Sequence, residues 1–87
     1  MSVVVLYSRP GCHLCEEVKH QLESLRRQHS FELLEVNIDL DTGLRQRYNE
    51  QVPVVTIDGR LVSRYRLNPG RFLAKLRAAG TGTKRKP

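Results

Sequence analysis

Ser8-Arg9-Pro10-Gly11-Cys12-His13-Leu14-Cys15-Glu16 is the stretch on which the fold turns. Just before it, Val3-Val4-Val5-Leu6-Tyr7 is a continuous β-branched and aromatic run that suits a strand buried on both faces. Beyond it, Cys15, Val18, Leu22 and Leu25 recur at the three-and-four spacing of one helix face, with Glu16, Glu17, Lys19 and Glu23 on the others. The helix should fade between Arg27 and Ser30. A closely spaced cysteine pair therefore stands where a strand gives way to a helix.

The rest of the chain follows the same alternation. Phe31, Leu33, Leu34, Val36 and Ile38 predict a second strand, and the polar stretch from Asp39 to Glu50 a short surface helix capped by Asp41 or Thr42. Val54-Val55-Thr56-Ile57, Asp58-Gly59 and Arg60-Leu61-Val62-Ser63 read as an antiparallel hairpin, because Asp-Gly supplies the positive φ angles of a tight turn. In the last helix Asn68 is the cap, Pro69 fits the first turn, Phe72, Leu73, Leu76 and Ala79 line one face, and Gly80 is the expected stop. The expected organisation is one domain over residues 1–80 and a disordered basic tail from Thr81 to Pro87. The order β-α-β-α-β-β-α makes this an α/β chain whose first two strands are parallel through a right-handed crossover.

A chain of 87 residues supports one compact core, and its 39% apolar and 28% charged residues describe a globular domain rather than a disordered or membrane chain. Charge is divided unevenly. Met1 to Gly59 holds six Lys or Arg against nine Asp or Glu, whereas Arg60 to Pro87 holds nine against none. Such a basic half reads either as a solvated surface or as a contact for an acidic partner or nucleic acid. Tyr65 and Phe72 are too scattered there for a base-stacking platform. The start of the chain lacks the basic segment, long apolar run and cleavage site of a secretory signal, and nothing approaches the roughly 20 apolar residues of a membrane span. The expected location is the cytoplasm, where thiols are kept reduced and a close cysteine pair is catalytic or metal-binding rather than a structural bridge.

Thiol-disulfide exchange needs a thiolate, yet a free cysteine with a pKa of about 8.5 is only slightly ionised at neutral pH. A helix N-terminus stabilises that anion through unpaired N–H groups and the positive end of its dipole. Cys12 sits at that end and is the expected nucleophile; Cys15, one turn further in, is the expected resolving thiol. His13 and Arg9 either favour the Cys12 thiolate by their charge, Arg9 also meeting an anionic substrate, or are solvated loop residues without a role. Other uses of the pair fit less well. A structural zinc site needs a second ligand pair at regular spacing, and only the scattered His13, His20 and His29 are available. Haem attachment needs His directly after the second cysteine, where Glu16 stands. Two inert buried thiols are the remaining reading. Val52-Pro53 opens the third strand. It is either a trans proline tolerated at a strand start or a cis bond that leaves the Val52 backbone free to meet a substrate strand opposite Cys12.

Taken together, Tyr7-Ser8-Arg9-Pro10-Gly11-Cys12-His13-Leu14-Cys15, Val52-Pro53-Val54 and the Asp58-Gly59 hairpin make the chain resemble a glutaredoxin from Val3 to about Ala79. The resemblance implies a thioredoxin fold: a four-stranded mixed sheet with the first and third helices on one face and the second on the other. It implies Cys12 as nucleophile, Cys15 as resolving thiol, Arg9 as the basic residue before the motif, and Val52 with a cis Pro53 as the substrate-binding turn. Glutathione-using members carry Gly-Gly and an Asp before the last helix, where this chain has Arg64-Tyr65-Arg66-Leu67-Asn68-Pro69. It is more similar to a glutaredoxin-like branch with a C-x-L-C site and Val-Pro-Val before a short hairpin. The implied activity is reduction of protein disulfides or mixed disulfides. It needs no metal or organic cofactor, and glutathione or a thioredoxin-type system serves as upstream reductant. The expected partners are a disulfide-bearing protein or small thiol and that reductant, without membrane or nucleic acid, on a monomer. The rival reading is a thioredoxin-fold adapter or metal-site scaffold that holds an acidic partner or RNA through the basic half.

Overall fold

Alternation along the first strand decides how the layers stack. In the computed structural model, which describes the backbone of residues 1–85 and side chains through residue 79, β1 (Val3–Ser8) buries Val4, Leu6 and Ser8 and leaves Val3, Val5 and Tyr7 half-buried. One face is thus fully covered and the other only partly, where the apolar run predicts burial on both. β1 pairs in parallel with β2 (Glu32–Asn37) and antiparallel with β3 (Val54–Ile57), which pairs antiparallel with β4 (Arg60–Arg64). The four-stranded mixed sheet has the order β2-β1-β3-β4.

The hairpin turn behaves as Asp-Gly turns do, with φ of 50° at Asp58 and 86° at Gly59. Asp58 also ties the turn to the start of β1: its Oδ1 accepts from the Val3 N–H at 2.9 Å, and its own N–H donates to the Val3 carbonyl at 2.8 Å. Val62 is an extra residue in β4, since Val55 pairs Ser63 while Thr56 pairs Leu61.

On the fully covered face α1 (His13–Arg26) and α3 (Pro69–Arg85) close the main core, in which Val18 and Leu22 of α1 and Phe72 of α3 meet Val4, Leu6, Val55 and Ile57 of the sheet. Phe31 and Phe72 meet edge to face at 5.5 Å there. Phe31 and Ile38, expected within the second strand, lie just outside it and are buried all the same. The opposite face carries α2 (Thr42–Tyr48), whose Tyr48 ring packs on Tyr7 at 4.8 Å. Two turns of helix cannot span a sheet face, which is why Val5 stays half-buried and Leu34 is 51% exposed.

The single helix expected from Asp39 to Glu50 is divided. A 3-10 turn (Ile38–Leu40) precedes α2, and another (Asn49–Gln51) follows it. Asp41 is extended at φ −141° and caps α2, its Oδ1 accepting from the Leu44 N–H at 3.1 Å. Asn49 has φ of 29°, which no helix contains. Asn68 caps α3 as expected, its Oδ1 accepting from the Arg71 N–H at 3.0 Å. Gly80 does not stop that helix, which runs on to Arg85; glycine costs a helix interior about 1 kcal/mol, a penalty rather than a break. The tail expected to be disordered from Thr81 to Pro87 is instead helical in its backbone as far as Arg85, and residues 86 and 87 lie outside the described residues.

Candidate active site

Gly11 has φ of 77°, the left-handed conformation that lets the chain leave β1 and turn into α1. Cys12 follows in an extended conformation, φ −98° and ψ 110°, and is the N-cap of α1. Its Sγ accepts a hydrogen bond from the Cys15 N–H at 3.1 Å, and its carbonyl accepts from the Glu16 N–H at 3.1 Å. The sulfur thus occupies the place of the usual Ser, Thr or Asp oxygen at a helix start, where bonding and dipole both favour negative charge. Cys12 and Cys15 form a disulfide with their Cα atoms 5.2 Å apart. Cys15 is only 4% exposed, whereas Cys12 is half-buried. A partner can therefore reach one sulfur and not the other.

A second, smaller core lies beneath the pair. Cys15, Ile38 and Val52 form its buried centre, with Tyr7, Cys12, Leu44 and Tyr48 packed around it. β1, α1, α2 and the chain entering β3 all contribute, so the fold brings Val52 to the two cysteines. The Val52-Pro53 bond is cis. The Pro53 carbonyl accepts from the Tyr65 N–H at 2.8 Å, and Arg64 Nε donates to Gln51 Oε1 at 2.9 Å, so the end of β4 is tied to this turn.

Arg9 and His13 take different places. The Arg9 guanidinium pairs with Asp39 at 3.1 Å and donates to the Asn49 carbonyl at 3.4 Å. Arg45 shares the same Asp39 oxygen at 3.7 Å. Arg9 thus fastens the loop before Cys12 to the 3-10 turns on either side of α2. His13 is exposed at the first position of α1 and lines a groove with Tyr65 and Arg66.

Sequence reasoning did not single out Asp39, Asn49, Tyr7 or Tyr48 as part of the site. Their only signal was membership of polar or strand segments, and pairing across about 30 to 40 residues has no local signature. A further polar group also went unread. Ser8, buried at the end of β1, donates to Glu35 Oε2 at 3.1 Å, and the other Glu35 oxygen pairs with Lys19 at 3.3 Å. The hydrogen bond from Lys19 to this carboxylate, with the attraction of its charge, raises the Lys19 pKa above the usual ammonium value. Among the described residues no group of three or more His, Cys, Asp or Glu is placed to hold a metal ion, and no helix is long and apolar enough to cross a membrane.

A strand, a cysteine-capped helix and a Val-Pro turn packed against the cysteines are found together in thioredoxin-fold proteins, and this fold is shared with a solved thioredoxin from Halobacterium salinarum. The two agree at a TM-score of 0.56 and 21% identity, over 72% of this chain and 58% of that one. More specifically, the chain belongs to the glutaredoxin-like domain family (DUF836), whose model matches residues 3–77. The solution structure of protein Ne2328 from Nitrosomonas europaea is similar at a TM-score of 0.76 and 36% identity, covering 85% of this chain and 89% of its own. Uncharacterized protein Rv0508 of Mycobacterium tuberculosis is 30% identical over 85 residues, 92% of this chain and 88% of its own length.

Proposed function

We propose that this chain is a thiol-disulfide oxidoreductase that reduces protein disulfides or mixed disulfides through Cys12 and Cys15. One observation carries the reading: Cys12 Sγ caps α1 and accepts the Cys15 N–H, while the Cys15 side chain is buried below it. In the reduced protein the same N–H and the helix dipole favour the Cys12 thiolate. That thiolate attacks one sulfur of a substrate disulfide; the other substrate sulfur leaves and takes up a proton. The Cys15 thiol then gives up its proton and attacks Cys12 Sγ, which releases the second substrate thiol and leaves the Cys12-Cys15 disulfide. Two electrons from an upstream reductant reset the pair.

Arg64 to Asn68 stand where glutathione-using glutaredoxins carry Gly-Gly and Asp, so a thioredoxin-type dithiol system is the preferred electron source over glutathione. The test is turnover of a disulfide-bonded protein with each system in turn, together with equilibration of the Cys12-Cys15 couple against both. Reduction driven by the dithiol system, and slow reduction with glutathione, is the expected result. No turnover with either system would refute the reductase reading, and ordinary glutathione-coupled activity would refute the choice of reductant.

A further inference from the structure

The segment Arg64 to Arg71 forms a groove beside the site that the thiol chemistry does not use. Its volume is about 410 Å³, and Arg64, Tyr65, Arg66, Asn68 and Arg71 are among the residues that line it. Its place is set by the bonds already described, since Arg64 is held by Gln51 and the Tyr65 N–H by Pro53. On its other side the same ridge, Tyr65 to Leu67, borders a second groove that runs along α1 past Gln21 to His13, the neighbour of Cys12. Gln21 Nε2 donates to the Leu67 carbonyl at 3.5 Å and keeps the ridge against α1.

Three observations give this groove a charge preference. From Arg60 onward the sequence contains no acidic side chain. Among the described residues Arg66 and Arg71 have no ion-pair partner, although both are exposed. Arg71 also lies in the first turn of α3, where carboxylates are the favoured residues and none is present; a cation at that positive helix end is unfavourable until an external anion relieves it. Tyr65, held at φ of 67°, is 47% exposed at the ridge. An aromatic residue rarely adopts that conformation, and here it turns the chain so that the ring and Arg66 border both grooves. Glu16 and Glu17 line the α1 side, so the anion-attracting side is that of β4 and α3.

We propose that this groove binds an acidic polypeptide segment next to the disulfide of the protein substrate, so that Arg66 and Arg71 select the partner and hold its sulfur over Cys12. The inference rests on the thiol reading above but adds a recognition surface that can be measured without any thiol chemistry. Exposed arginine-carboxylate contacts, each good for about threefold in affinity, together make the double variant about tenfold weaker, and salt weakens the wild type as well.

The probe is a fluorescent, cysteine-free ten-residue peptide rich in Asp and Glu, compared by anisotropy with a Lys-rich peptide of the same length. The proteins are the wild type, Arg66→Ser/Arg71→Ser, and Arg26→Ser/Arg27→Ser, which removes equal charge at the far end of α1. Binding of the acidic peptide alone, lost about tenfold in the first variant and within about twofold of wild type in the second, is the expected result. Equal binding of both peptides, or equal loss in both variants, would overturn the proposal. So would tighter binding of a single-stranded RNA of matched charge, lost in the first variant, or complete displacement of the peptide by millimolar glutathione. If the acidic peptide binds as expected while no disulfide substrate turns over, the recognition surface stands and the reductase reading falls.

Discussion

At the scale of single residues, the two cysteines are separated by their surroundings rather than by their chemistry. Cys12 has the helix N-terminus, a donated N–H and partial exposure; Cys15 has burial among Ile38 and Val52. In the reduced native protein Cys12 should therefore react with iodoacetamide well before Cys15, at neutral pH and below the usual thiol pKa. Peptide mapping after brief alkylation checks this, and equal rates would remove the assignment of roles. The sequence made this much legible because capping and burial are both local: a cysteine just before a helix, and a second one turn inside its apolar face. Arg9 was not legible in the same way. Its motif position beside Cys12 points to the thiol, but its partners Asp39 and Asn49 are 30 and 40 residues on.

At the scale of elements, the long strands, the main helices and the hairpin were readable because their periods and turn residues are strong, while the segment from Asp39 to Gln51 was not. Its polarity points to a surface helix, but nothing in the spacing says where an extended Asp41 and a positive-φ Asn49 will cut it. This divided element carries Leu44 and Tyr48 onto the wall of the site. Replacing Asp41 by alanine removes the acceptor for the Leu44 N–H and should lower stability by about 1 kcal/mol. Urea unfolding should show this as a lower midpoint with the slope unchanged, and the Cys12 reactivity should persist because α1 keeps its own cap. An unchanged midpoint would mean that Asp41 does not hold α2.

At the scale of the whole molecule, two cores of unequal size divide the labour. The larger one, between the sheet and α1 with α3, supplies most of the apolar burial; the smaller one positions the sulfurs. Phe72 is fully buried in the larger core, so Phe72→Ala should cost about 3 to 5 kcal/mol, most of the stability of a domain this small. A loss below about 1 kcal/mol in urea unfolding would show that the site of Phe72 collapses more fully than its packing implies. Overall topology was legible because connection lengths leave few arrangements for β-α-β-α-β-β-α. The depth of each face was not. How much of β1 is covered depends on α2 being two turns long, and how far α3 extends past Gly80 on a penalty too small to end a helix.

The most direct test of the account is a trapped intermediate. With Cys15→Ser, the resolving step is blocked, so a disulfide-bonded protein substrate should accumulate as a mixed disulfide through Cys12. Non-reducing electrophoresis and mass spectrometry of the linked peptides read it out, with Cys12→Ser as the partner variant that should trap nothing. Linkage through Cys12 is the predicted result. No trapped complex with Cys15→Ser, or an equally strong one through Cys15 in Cys12→Ser, would contradict the assignment of the attacking and resolving thiols.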